Sequence, residues 1–290
     1  MSTQSLQSGV LGLLERAEHE RSAGESRGSL KLRLGIAIVA LFVLTALLAP
    51  LLAPYAPDRQ DLLHTLAGPS TQHPLGTDAV GRDVLSRVIY ASSVDLPIAG
   101  AAVLIPAVIG SLVGLMAGYL GRVADTVLMR TADLVLAFPV YVLVLALIAV
   151  LGPGAGSIII ATALVDWVIY ARLVRSEVLH VKSLDYITAA RAGGLSHWRV
   201  LRRHVLPNVI SQPIVYMMSD MILVILALSS LSFLGLGVSS PTAEWGAMIG
   251  EAEPFLRLRP WLIVPPGIAI ILVGIGFSLI GDALADRWGR

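Results

Sequence analysis

A chain of 290 residues would ordinarily make about two soluble domains of roughly 150 residues each, but this one is 56% hydrophobic and 14% charged, with a mean hydropathy of +0.78. That apolar excess excludes a soluble fold and predicts an all-α protein embedded in a bilayer. With 21 Lys and Arg against 20 Asp and Glu no nucleic-acid partner is indicated, and the absence of cysteine removes disulfides, thiolate nucleophiles and Cys metal sites.

Residues 1–33 form a polar N-terminal tail that includes Glu15, Arg16, Glu18, Glu20, Arg21 and Arg27. No small-residue cleavage site follows the first apolar run, which is therefore expected to stay as an anchor. A helix needs roughly 20 apolar residues to cross the hydrocarbon, and six stretches qualify: 34–52, 96–120, 126–151, 157–173, 209–236 and 262–280. An even number places both termini on one side. Sixteen of the Lys and Arg residues fall on the side of the termini and of the segment after span four, against Arg59, Arg82, Arg87, Arg257 and Arg259 on the other. The positive-inside rule makes the termini cytoplasmic. The expected organisation is a tail to residue 33, a first span and extracytoplasmic loop over 34–95, a five-helix core over 96–282 with a cytoplasmic loop at 175–208, and a tail over 283–290.

The first outer loop ends in "LGTDAVGRDVLSR", where Thr77 or Asp78 can cap a helix with Val80, Val84, Leu85 and Val88 toward the membrane and Arg82, Asp83 and Arg87 outward. Such a helix serves either as a brace or as a contact for an external receptor. In span two, Gly110, Gly114 and Gly118 lie on one face and allow a close helix neighbour. Pro106, Pro139, Pro213, Pro265 and Pro266 are expected to kink or interrupt their helices. Arg130 and Asp133, with Asp125 nearby, have the spacing of an ion pair. Asp166 and Asp220 fall near the middles of spans four and five, where a carboxylate either lines a polar path or bonds to a neighbouring helix. Trp245, in the second outer loop, has the character of an interfacial anchor. The six histidines show no metal-ligand spacing, so no metal site is expected.

"TAARAGGLSHWRVLRRHVLPN", residues 188–208, is the most polar segment between two spans. Ser183 can cap a short helix from Leu184, Gly193 and Gly194 can end it, and Ser196 can cap a second. On the second helix Trp198, Leu201 and Val205 form an apolar stripe opposite Arg199, Arg202 and Arg203. Pro207 is expected to end it and Asn208 to cap the next span. Two readings fit: a basic amphipathic helix on anionic lipid, or a rigid docking surface, for which paired glycines and caps supply shape.

The segment resembles the EAA loop of ABC-transporter permeases: Glu-Ala-Ala, three residues, Gly, nine residues, one apolar position, then x-Leu-Pro. Ala189, Ala190, Gly194, Leu206 and Pro207 match in register, while Thr188 stands in the place of the Glu. "HPLGTDAVGRDVLSRVIY" (73–90), "DYITAARAGG" with "RHVLPN", and "LSFLGLGVSSPTAEWGAMI" (231–249) resemble the second permease type of peptide/nickel importers, the dipeptide/oligopeptide permease family; "ASSVDL" (91–96) departs from its Gly-Ala-Arg-x-Ser-Leu. The resemblance implies a type I ABC importer permease fold in the bacterial inner membrane. It implies an ATPase-coupling loop built from Thr188, Ala189, Ala190, Gly194, Leu195, Trp198, Leu201, Leu206 and Pro207, with Asp166 and Asp220 as pathway-lining candidates. The implied partners are a homologous second permease, two cytoplasmic ATPase domains that bind ATP and Mg, and an extracytoplasmic substrate-binding protein. The chain itself has no Gly-x4-Gly-Lys-Ser/Thr phosphate loop, and no cofactor is expected in it. Two other classes remain, a proton-coupled secondary transporter using Asp166 and Asp220, and a scaffold that tethers a cytoplasmic partner.

Overall fold

The computed structural model describes residues 28–288, so residues 1–27 of the expected N-terminal tail, and residues 289 and 290, lie outside the described residues. Among the described residues the chain is helical, with one isolated bridge between Thr77 and Asp83. Helix α1 runs Gly28–Leu47 and α2 Val84–Leu120. Helices α3 (Arg122–Leu136) and α4 (Val140–Leu151) meet at 83°. Then follow α5 (Ala155–Lys182), α6 (Asp185–Ala192), α7 (His197–Phe233), α8 (Trp245–Ala252) and α9 (Val264–Trp288). Five helices are long and apolar enough to cross a membrane, and six if the bent pair α3–α4 is counted as one broken span.

Several boundaries differ from those expected. The second span does not begin at Leu96: α2 starts twelve residues earlier and extends about 55 Å at 1.5 Å per residue, which carries it beyond the hydrocarbon. Residues 283–288, expected as tail, continue α9. Of the prolines, Pro139 sits at the break between α3 and α4, whereas Pro97 and Pro106 lie within α2 and Pro213 within α7. Pro265 and Pro266 occupy the first turn of α9, where a missing N–H costs nothing.

The bundle is built on α2 against α5, its most extensive helix pair. The glycine stripe makes this approach: a Cβ on Gly110 or Gly114 would collide with the carbonyl of Trp167 or Ala171, and one on Gly118 would lie 2.8 Å from Cβ of Val178. Without these side chains the two backbones come close enough for dispersion contacts along the stripe from Gly110 to Gly118. Gly35 and Gly276 serve the same purpose where α1 crosses α9.

At one end of the bundle, the loops over 53–83 and 237–261 fold onto α2. Here the sequence-based expectation is corrected. Arg82, Asp83 and Arg87 are not outward-facing but buried, Arg87 to 1% exposure. Arg82 Nε donates to Asp78 at 2.5 Å and its Nη2 to Glu251 at 2.6 Å, while Arg87 Nη2 donates to the same Glu251 oxygen at 3.1 Å. The cap of α2 is neither Thr77 nor Asp78 but Asp83, which accepts from Ser86 N at 2.7 Å and holds His73 at 2.9 Å. Charge pairing across the chain has overridden the local amphipathic pattern, because a buried guanidinium is tolerable only with carboxylates against it. Trp245 is likewise no interfacial anchor. It is fully buried, packs edge-on to Phe42 at 5.8 Å, and donates its indole N–H to Val88 O at 3.2 Å.

Two buried carboxyls meet at the start of α8. Asp95 accepts from Trp245 N at 3.1 Å, and Glu244 accepts from Gly246 N and Ala247 N at 2.9 and 2.6 Å, so three successive amides of the helix start are satisfied. Burial pushes the Glu244 carboxyl above its ordinary value, against the pull of those two amides. An acid whose pKa is raised by folding holds its proton more tightly in the native state. Its stabilising contribution is therefore full below the unfolded pKa of about 4.3 and lost as pH rises toward the folded one. Asn in place of Asp95 keeps an acceptor for Trp245 and offers Glu244 a donor. Asp95→Asn is expected to raise the melting temperature by about 2–4 °C at pH 8 and by less at pH 5; a shift of equal size at both would reject the carboxyl pairing.

Candidate functional site

At the opposite end of the bundle, residues 183–209 form a helix, a tight turn and a second helix. Ser183 does not cap the first of these; its hydroxyl donates back to His180 O at 2.8 Å, and Leu184 precedes α6 with no side-chain cap. α6 ends as expected near the paired glycines. Gly194 N donates to Arg191 O and Leu195 N to Ala190 O, at 3.0 and 3.2 Å, the two bonds of a Schellman closure. Gly194 alone takes the left-handed conformation, at φ +85°, and a Cβ on it would meet nothing within 4 Å. Its requirement is for backbone freedom and not for space. Ser196 caps the next helix, accepting from Arg199 N at 3.4 Å.

That helix does not stop at Pro207 but continues as α7 to Phe233. Between Leu201 and Val205 it widens into a π turn, in which Leu206 N reaches Leu201 O. The wide turn lies just ahead of Pro207, whose ring would clash with the carbonyl four residues back in a regular α-helix. Asn208 caps nothing; its amide donates to His204 O at 2.6 Å.

The π turn also rearranges the apolar face. Residues five apart come to lie over one another across it, so Val200 and Val205, both fully buried, share the inner face with Val209. They pack on Val174, Val178 and Val181 of α5 and on Ile187 of α6, with Leu195 and Leu201 half-buried at the edge. The expected stripe of Trp198, Leu201 and Val205 is thus broken: Trp198 is turned out, 69% exposed. With Ser196, Arg199, Arg202 and Arg203 it lines an open concavity of about 430 Å³. Thr188, Ala189, Gly194, Leu206 and Pro207 are also exposed and Ala190 is half-buried.

Contacts that the sequence reading missed anchor this element to the spans. Lys182 Nζ donates to the carbonyls of Gly118 and Tyr119 at 3.0 and 2.9 Å, satisfying the end of α2. The Tyr119 hydroxyl donates to His197 O at 2.7 Å. Arg175 grips Asp125 with two donors, its Nη2 at 2.6 Å, and Arg172 Nη2 donates to Asp133 at 2.6 Å, tying α3 to α5. Asp133 is therefore Arg172's partner; Arg130, itself highly exposed, stands 3.9 Å from it. A basic residue at a helix C-terminus, as Lys182 is, is a signal for a carbonyl cap, but nothing local says which helix it reaches.

The two intramembrane aspartates differ. Asp220 is buried and accepts from the Tyr170 hydroxyl at 2.7 Å, while Tyr170 packs edge-on to Tyr216, ring centroids 5.0 Å apart. Asp166, one turn before Tyr170, is half-buried. Among the described residues no group of three or more His, Cys, Asp or Glu gathers as a metal site would require.

Comparison with known proteins agrees with this architecture. Residues 110–290 match the model for "Binding-protein-dependent transport system inner membrane component", and residues 33–69 match "N-terminal TM domain of oligopeptide transport permease C". The chain is 38% identical over 252 residues to the dipeptide transport system permease protein of Alkalihalophilus pseudofirmus, covering 87% of this chain and 83% of that one. It is 39% identical over 255 residues to the nickel transport system permease protein of Escherichia coli (88% and 92%). To the glutathione transport system permease protein of Pectobacterium atrosepticum it is 39% identical over 249 residues (86% and 83%). A crystal structure of an amino acid ABC transporter with histidines shares the fold, with a TM-score of 0.56 and 16% identity over 70% of this chain and 94% of that one. Five or six apolar spans, a matching family model over more than half the length and relatives at this identity over most of both chains lead to one conclusion: the chain belongs to the family of binding-protein-dependent transport system inner membrane components, the permease subunits of ABC importers.

Proposed function

We propose that residues 185–207 dock a separate cytoplasmic ATPase and pass its closing motion to the spans through α5 and α7. The observation that carries this reading is the division of the apolar surface. Val200 and Val205 are already covered by the protein's own α5, so the helix has no apolar stripe left to lay into lipid, while Trp198 and three arginines face outward around a concavity. A basic amphipathic anchor needs the reverse arrangement. The charge bias of the loops supports a cytoplasmic position for this end and for both termini, with the loops over 53–83 and 237–261 facing an extracytoplasmic binding protein. ATP and Mg belong to the partner ATPase domains, and a homologous second permease completes the pathway. The solute is a short peptide or nickel, the range spanned by the relatives' names.

Vesicles carrying the assembled complex, loaded with the solute that co-purifies with the binding protein, test this. Uptake is expected to require ATP on the side of residues 185–207 and to persist when the proton gradient is collapsed. Uptake driven by a pH gradient with no ATPase present would instead establish the proton-coupled alternative.

A further inference from the structure

The third span is broken where lipid would not tolerate it. α4 is twelve residues long, so its start at Val140 lies about 18 Å from the Gly152–Gly154 turn, well inside a hydrocarbon layer of roughly 30 Å. On the other arm of that hairpin Asp166 stands twelve residues into α5. The two are at one depth, and Val140 packs against the cluster that contains Val165. Ahead of Val140 the chain leaves helical geometry over residues 137–139 and turns by 83°, with Phe138 60% exposed and Tyr141 exposed beside it. Ile169, one turn after Asp166 on α5, is exposed. Asp166 is half-buried and, unlike Asp220 with its Tyr170 donor, has neither a hydrogen-bond donor nor a cation against it among the described residues.

Irregular backbone and an unpaired carboxylate are each excluded from a lipid-facing surface, because both need hydrogen-bonding partners that hydrocarbon cannot supply. Both occur here at one depth, on adjoining helices, beside the exposed Ile169. We propose that the break at residues 137–139 opens onto the translocation pathway and that Asp166 is the carboxylate there that meets a positively charged group of the solute, an ammonium or a cation. This rests on the reading of the chain as one half of such a pathway. Asp220, satisfied by Tyr170, holds α7 to α5 and does not face the solute.

The natural absence of cysteine makes the test direct. A Phe138→Cys chain in the assembled complex is reacted with a cationic and an anionic methanethiosulfonate, neither able to cross lipid. Leu44→Cys on α1 is the control. The Phe138→Cys thiol is expected to react, and to react faster with the cation than with the anion. Asp166→Asn in the same chain is expected to lower that rate ratio by roughly tenfold, the order of effect for one unit charge at close range in a partly screened site. An unreactive Phe138→Cys thiol, or a ratio unmoved by Asp166→Asn, overturns the proposal. Tyr141→Cys, on the other side of the break, repeats the test should the first variant fail to assemble. The labelling is read on the membrane-inserted chain, so its failure is distinguishable from failure of ATPase docking, which ATP-dependent uptake measures separately.

Discussion

Gly114→Val is expected to yield little folded permease. The new Cβ would collide with the Ala171 carbonyl and lie 2.9 Å from Cβ of Val174, and neither can move without parting α2 from α5 along the pairing on which the bundle is built. Overpacking against rigid backbone costs about 3 kcal/mol or more, with further loss as neighbouring turns separate. Gly267→Val is the matched control, since a Cβ there meets nothing within 4 Å. Yield of detergent-stable protein for the two variants decides the matter: near-equal yields would show that the stripe does not set the α2 to α5 distance.

The second large effect is expected from Glu251→Ala. Removing this side chain strips the buried Arg87 of its close carboxylate and leaves it only Asp78 at 3.8 Å, through the same oxygen that Arg82 holds. Breaking a fully buried pair costs roughly 3–5 kcal/mol. Glu251 retains 29% of its side-chain exposure and Asp78 still holds Arg82, so about 2–3 kcal/mol is the expected loss. The cost lies in the stranded charge and not in the lost attraction. A double Arg87→Met, Glu251→Met variant should therefore recover most of it, and thermal unfolding of the three proteins measures this. A double variant no more stable than Glu251→Ala would refute the stranded-charge account.

The spans, the glycine stripe and the Ser196 cap were legible in the sequence because each depends on composition or on residues a few positions apart. What was not legible depends on distant partners. Arg82, Asp83 and Arg87 have the pattern of a wet helix face, and only Glu251 and Asp78, brought in by folding, make their burial tolerable. Trp245 and Trp198 were exchanged in character for the same reason: the first is covered by Phe42 and α2, while the second is turned out by a π turn that breaks the 3.6-residue period used to place it. Pro207 was expected to stop a helix that instead widens to pass it. The motif residues Ala189, Gly194, Leu206 and Pro207 fall on one exposed element, yet the braces that join it to the spans, Lys182, Tyr119 and Arg175, carry no local signal of their targets.

The docking of an ATPase through the exposed concavity around Trp198 is the claim on which the functional account depends, and capture of that ATPase by variant permeases tests it most directly. An exposed aromatic at the centre of an interface contributes about 2 kcal/mol or more, roughly a thirtyfold change in affinity, whereas basic residues near an anionic surface contribute roughly 1 kcal/mol each and fade with salt. Capture by Trp198→Ala and by the triple variant Arg199→Gln, Arg202→Gln, Arg203→Gln is compared at low and high salt, with membrane insertion checked in each. The account predicts that Trp198→Ala loses the ATPase at both salt concentrations while remaining inserted. Retention of the ATPase by Trp198→Ala at both would contradict it.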